Sequence, residues 1–105
     1  MKERRSSKRA KVDLLLNKFI EGFPHTCRVL DISMGGMLVR RIHEPDTKCH
    51  NYPLELGLPG MEGTMWIWSR PLWTKGQRQA LRFVAMDPAD RARLARYLGN
   101  VRRAA

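Results

Sequence analysis

Two arginines near the N-terminus have the type and spacing of a phosphate-binding arm. Arg5 and Arg9 stand four positions apart in the run RSSKR. An arginine guanidinium binds phosphate through two parallel hydrogen bonds, stacks on flat rings and pairs with the O6/N7 edge of guanine. Two such groups on a basic segment can therefore grip two phosphates or two bases of one compact ligand.

A second group, in the run DISMGG, has the chemistry of a base-reading site. Side chains alternate along a strand, so we expect Leu30 and Ile32 to point inward and Asp31 and Ser33 to stand together on the outer surface. A carboxylate and a hydroxyl two residues apart can accept the N–H donors on the Watson–Crick side of guanine. This pattern predicts a guanine-reading pair at the end of a strand.

The turn after this strand contains Gly35 and Gly36. A glycine lets the backbone turn sharply and lets a flat ligand approach where a Cβ would interfere. Simpler interpretations remain open for both motifs. The arginines are also typical of a solvated basic tail, and Asp31 and Ser33 also suit local hydrogen bonds that shape the turn.

The net charge of the chain indicates the chemistry of its partner. The 105 residues carry 20 Lys and Arg against 10 Asp and Glu, a formal net charge of +10. This excess argues for an anionic partner, either a nucleotide, a nucleic acid or a membrane surface. The cations crowd both ends of the chain, and we interpret those near the C-terminus as a solvated helix face: Arg91, Arg93, Arg96, Arg102 and Arg103.

The sequence argues against a membrane-spanning protein, a secreted protein, a metalloprotein and an enzyme. No apolar run has the length that a membrane span needs, and no secretory signal is evident, so we expect a cytoplasmic protein with reduced thiols at Cys27 and Cys49. The spacing of these cysteines relative to His25 and His50 is unlike a structural zinc site, so we expect no metal and no cofactor. We find no nucleophile–base pair and no paired catalytic carboxylates, which argues against an enzyme.

Short apolar stretches separated by turn residues predict an all-β domain between a basic arm and a terminal helix. Asp87 and Pro88 are typical of a helix start, and Leu94, Tyr97 and Leu98 recur at helical spacing, with Gly99 as a stop. We predict a flexible basic arm over 1–10, a small six-stranded antiparallel β-barrel over 11–86, and a C-terminal helix and tail over 87–105. The predicted strands are 11–20, 26–33, 37–42, 52–58, 64–73 and 78–86.

The chain resembles the PilZ family of cyclic-di-GMP receptors in three stretches. ERRSSKRAKVDLLL is similar to the family's opening, RVLDISMGGMLVR to its DxSxxG signature, and ALRFVAMDPADRARLARYL to its last strand and helix. Ala80 stands where many members of the family have a glycine that opens the last strand, so the chain departs from the family pattern there. The resemblance implies a bacterial receptor with a six-stranded barrel that binds cyclic-di-GMP on its outer surface. It also implies the contact residues Arg4, Arg5, Arg9, Asp31, Ser33, Gly35 and Gly36.

The predicted function is a non-enzymatic receptor whose arm becomes ordered on binding cyclic-di-GMP and which then signals to a protein effector. Two alternatives stay open: a small basic barrel that binds nucleic acid, and a PilZ fold that acts as an adaptor without ligand. We interpret Trp66, Trp68 and Trp73 as core or barrel-flank residues rather than base-stacking ones.

Overall fold

The computed structural model describes residues 8–104, which form six strands and one helix. All strand pairs are antiparallel, and β1 pairs with both β2 and β4, so the sheet closes in the order β1-β2-β3-β6-β5-β4. Closure leaves no open sheet edge. The predicted six-stranded barrel with a C-terminal helix is confirmed. The elements are β1 (Ala10–Ile20), β2 (Phe23–Ile32), β3 (Gly36–Arg41), β4 (Tyr52–Leu56), β5 (Met65–Lys75), β6 (Arg78–Met86) and α1 (Pro88–Ala104).

The first hairpin is tighter than predicted. Glu21 and Gly22 both have positive φ, 52° and 87°, and they form the whole connection between β1 and β2. Two-residue hairpin turns favour such left-handed pairs because their twist matches that of the strands. β2 therefore begins at Phe23 rather than at residue 26.

The barrel interior is filled by residues that alternate along the strands. Leu54 and Leu56 of β4 and Met65 and Ile67 of β5 are almost fully buried, as the period-two pattern predicts. The outer positions between them include Trp66, which is half exposed. The interior belongs to one hydrophobic cluster that spans the strands and the helix.

Helix α1 packs onto this cluster through one face. The Asp87 carboxylate accepts a hydrogen bond from the Ala89 N–H at 2.8 Å, which confirms Asp87 as the N-cap. Leu94 and Leu98 are buried in the cluster. Gly99 does not end the helix, because packing beyond it, including partly buried Val101, carries the helix on to its last turn. No helix in residues 8–104 has the length and apolar character needed to cross a membrane.

Candidate functional site

A β-bulge at Leu30 decides which way the DxSxxG residues point. Val29 pairs with Val39 while Asp31 pairs with Leu38, so β2 contains one more residue here than β3 does. Val29 and Ile32 are both fully buried although they are three positions apart. The prediction that Leu30 points inward is therefore wrong, since Val29 takes that place and Leu30 is partly exposed.

Asp31 lies on the outer surface, as predicted, and there it meets the base of the basic arm. Arg9 Nη1 donates a hydrogen bond to Asp31 Oδ1 at 2.7 Å. Pairing of Lys11 with Asp31 across β1 and β2 brings the arm to this point. The structure thus joins the second arginine of RxxxR to the acid of DxSxxG, two residues separated by 22 positions in sequence.

Ser33 does not stand beside Asp31 on the surface, which corrects the sequence-based expectation. The residue is 2 % exposed. Its hydroxyl accepts a hydrogen bond from the Gly35 N–H at 3.1 Å and donates to the Gly36 carbonyl at 3.3 Å. β2 ends at Ile32, so strand alternation does not extend to Ser33, which begins the turn and shapes it.

The two glycines have separate roles. A Cβ on Gly36 would overlap the backbone carbonyl oxygen of Leu81, so close contact between β3 and β6 requires a glycine there. Gly36 is buried, whereas Gly35 is exposed at the tip of the turn. The Gly35 carbonyl accepts a hydrogen bond from the Phe83 N–H at 2.9 Å, which ties the turn to β6.

The remaining predicted contacts, Arg4 and Arg5, lie outside the described residues, as does most of the predicted arm. The described part of the arm is held from the C-terminal side of the chain. Arg102 in the last turn of α1 donates a hydrogen bond from Nη2 to the Lys8 carbonyl oxygen at 2.7 Å. The helix therefore fixes the backbone next to Arg9.

Two further arginines lie beside the motif turn. A depression of about 390 Å³ is bordered by Met34, Gly35, Phe83 and the arginines Arg82 and Arg91. Arg82 pairs in register with Gly36. The sequence alone does not place Arg82 near the motif turn, because only the strand order brings β6 beside β3.

One tryptophan lies at the same level of the barrel as Asp31, although it is three strands away. Asp31 pairs with Leu38, Leu38 with Ala80, and Ala80 with Trp73, so the four occupy successive strands at one level of the barrel. Trp73 is 49 % exposed. An exposed indole presents a flat face on which a base can stack. Three strand steps of about 4.8 Å each separate Trp73 from Asp31 around the barrel, so the shared level does not make the indole a neighbour of the acid.

A second polar cluster, which we call the mouth cluster, occupies the barrel interior. Lys18 is fully buried, and its Nζ lies 2.6 Å from Glu44 Oε1 and 2.6 Å from Gln79 Oε1. The same ammonium lies 4.6 Å from the centroid of the Tyr52 ring. Glu44 comes from the segment between β3 and β4 and reaches in to meet these strand residues. No pattern in the sequence predicts this cluster.

Both cysteines lie at this end of the barrel. Cys27 Sγ lies 3.5 Å from Glu44 Oε2, and burial raises the pKa of the Cys27 thiol to about 12. A thiol with so high a pKa stays protonated and is a poor metal ligand. Within residues 8–104, no group of three or more His, Cys, Asp or Glu side chains is arranged to hold a metal ion.

Solved structures that share this fold include an inhibitor of motility and two PilZ domains. MotI/DgrA, the inhibitor of motility of Bacillus subtilis, superimposes with a TM-score of 0.75 at 18% identity, covering 90% of this chain and 49% of MotI. This chain thus spans about half the length of MotI. The PilZ domain of CeSA from a cellulose-synthesizing bacterium gives 0.70 at 17% identity, covering 91% and 99% of the two chains.

The PilZ domain of Escherichia coli YcgR, solved with c-di-GMP, gives a TM-score of 0.67 at 17% identity over 95% of this chain and 92% of that domain. No curated protein sequence matches the chain. The PilZ domain family model matches residues 3–100, nearly the whole sequence. Together with the closed barrel and the joined arginine and acid, this match shows that the chain belongs to the PilZ domain family.

Proposed function

We propose that this chain is a bacterial, cytoplasmic receptor for cyclic-di-GMP that passes ligand occupancy to a protein effector, without catalysing a reaction. The observation that carries the proposal is the 2.7 Å contact between Arg9 and Asp31, which unites the two halves of the family motif at one point of the outer barrel surface. Membership of the family supports the ligand class.

Each side chain has a chemical task in this proposal. Asp31 accepts hydrogen bonds from the N1–H and N2–H donors of a guanine. Arg9, once it exchanges the carboxylate for the ligand, binds a phosphate or the O6/N7 edge of guanine. Arg4 and Arg5 stay predicted contacts from the arm. The exposed Asp31–Arg9 pair is suited to such an exchange, because an exposed ion pair contributes at most about 1 kcal/mol to stability.

The ligand also explains how the signal reaches a partner. Binding would draw the basic arm against the barrel wall, and this would change the shape and charge of one surface. Ser33 and Gly36 support the site indirectly, because they hold the turn that follows Asp31. Gly35, exposed at the turn tip, presents backbone at which a flat ring can approach.

Calorimetry with cyclic-di-GMP tests the proposal. Arg9→Ala and Asp31→Ala should each weaken binding by about 10- to 150-fold, because each removes a charge-assisted hydrogen bond worth about 1.5–3 kcal/mol. Arg96→Ala is the matched control and should bind like wild type, because Arg96 is an exposed arginine on α1 that makes no side-chain hydrogen bond or ion pair within residues 8–104. Equal affinity for cyclic-di-AMP would contradict the guanine-reading role of Asp31.

A further inference from the structure

A row of exposed cations crosses four strands of the barrel. Arg28 of β2 pairs in register with Arg40 of β3, Arg40 with Arg78 of β6, and Arg78 with Lys75 of β5. We call these four residues the cationic row. None of them belongs to the RxxxR or DxSxxG motif.

The cationic row lies on the outer face of the barrel. Arg28 stands between Cys27 and Val29, which are both fully buried, so its own side chain points outward. Next to Arg78 in sequence, Gln79 points inward to Lys18. All four cationic residues are exposed.

This arrangement is costly for the barrel alone. Like charges directly opposite each other on neighbouring strands destabilise a sheet. Arg28 is paired with Asp13 of β1. Among the ion pairs within residues 8–104, none involves Arg40, Arg78 or Lys75. An anionic partner would offset the repulsion along the row.

The geometry favours a flexible chain of phosphates. Neighbouring strands lie about 4.8 Å apart, so the row runs for about 14 Å around the curved barrel wall. A polymer that carries one permanent negative charge per unit can place one charge against each cation of the row. Arginine binds a phosphate of this kind through two hydrogen bonds. DNA duplexes are stiff over about 150 base pairs, whereas a single strand can follow the curvature. We propose that the cationic row binds the backbone of single-stranded nucleic acid without reading its sequence.

Titration of the full chain with a mixed-sequence single-stranded oligonucleotide at several salt concentrations tests this proposal. Four phosphate contacts predict that affinity falls about 50-fold between 50 and 200 mM salt, because each contact adds about 0.7 to the slope of log affinity on log salt. The double variant Arg40→Gln/Arg78→Gln should lower that slope by about 1.4.

A matched double variant separates the row from net charge. Arg96→Gln/Arg103→Gln removes the same charge from α1 and should leave the slope unchanged. Relief of repulsion should also raise the Tm of Arg40→Gln/Arg78→Gln at low salt, which a purely structural role would not do. Asp31→Ala should retain oligonucleotide binding, so the nucleotide receptor proposal and this one fail independently.

Four results would overturn the proposal. They are absence of binding by wild type at low salt, equal losses in the two double variants, affinity for a duplex of the same sequence at least as high as for the single strand, and equal affinity for a poly-glutamate peptide of the same charge. The last result would assign the cationic row to an acidic protein segment instead.

Discussion

The Arg9–Asp31 and Lys18–Glu44 pairs have almost the same length, 2.7 and 2.6 Å, in opposite surroundings. The side chains of the first pair are 50% and 22% exposed, and those of the second are 0% and 2% exposed. Water and salt screen an exposed pair, whereas a buried charge depends on its partner because it has lost its hydration. Surroundings, and not distance, therefore separate an ion pair that a ligand can replace from one that the fold needs.

The partners around each pair strengthen this contrast. Lys18 has Gln79 and the Tyr52 ring in addition to Glu44, so its buried charge is well satisfied. The contact of Arg9 with Asp31 leaves the carboxylate partly exposed, with lone pairs still available to another donor. The mouth cluster is thus built as a closed network, and the Arg9–Asp31 pair as an open one.

Glu44→Gln should have the largest effect on stability. It leaves the Lys18 ammonium buried without a full counter-charge, and breaking a buried pair costs about 3–5 kcal/mol. The matched change at the exposed pair, Asp31→Asn, should cost at most about 1 kcal/mol. Urea denaturation at neutral pH measures both. Equal losses would show that burial does not distinguish the two pairs.

Cys27, which lies beside Glu44 of the mouth cluster, should make the protein sensitive to alkali. Burial raises the pKa of the Cys27 thiol from 9.0 to about 12. Between these values the unfolded chain has released a proton that the folded chain keeps, so the free energy of unfolding should fall by about 1.4 kcal/mol per pH unit as pH rises. Urea denaturation across this range should show a shallower fall in Cys27→Ala. Parallel pH profiles would contradict the assignment.

Arg102→Gln should have the smallest effect, a modest loss of ligand affinity at the exposed Arg9–Asp31 pair. Loss of the hydrogen bond to the Lys8 carbonyl frees the backbone beside Arg9 without removing a proposed ligand contact. On the proposed function, cyclic-di-GMP affinity should fall by less than about tenfold, since one hydrogen bond contributes about 1 kcal/mol. Arg103→Gln is the control, because Arg103 bonds to Asn100 of its own helix. Calorimetry that finds equal losses in both variants would exclude a positioning role for Arg102.

The sequence predicted the elements that depend on local pattern. Strand alternation identified the barrel and its main core residues, and Asp87 identified the helix start. The same alternation failed at Leu30, because it was extended across a bulge that local residue types do not reveal, and at Ser33, because β2 ends one residue before it. Within the site, Asp31 was correctly placed outside, and Ser33 was not.

Residues that depend on pairing across the barrel could not be found from the sequence. Arg82 approaches the motif only because the strand order places β6 beside β3. The Lys18–Glu44 contact joins a strand to an irregular segment 26 positions away, and no periodic pattern connects them. A lysine at an inward position of β1 is a local inconsistency that only its distant acid explains.

The extra residue at Leu30 has a consequence for how this family motif can change. In an unbroken strand, Asp31 would share the inward face with Val29. One residue added to β3 opposite Leu30 would remove the bulge and therefore turn the carboxylate into the hydrocarbon interior, although every motif letter remained in place. The pairing of β2 with β3, as much as residue identity, decides whether DxSxxG can meet a ligand.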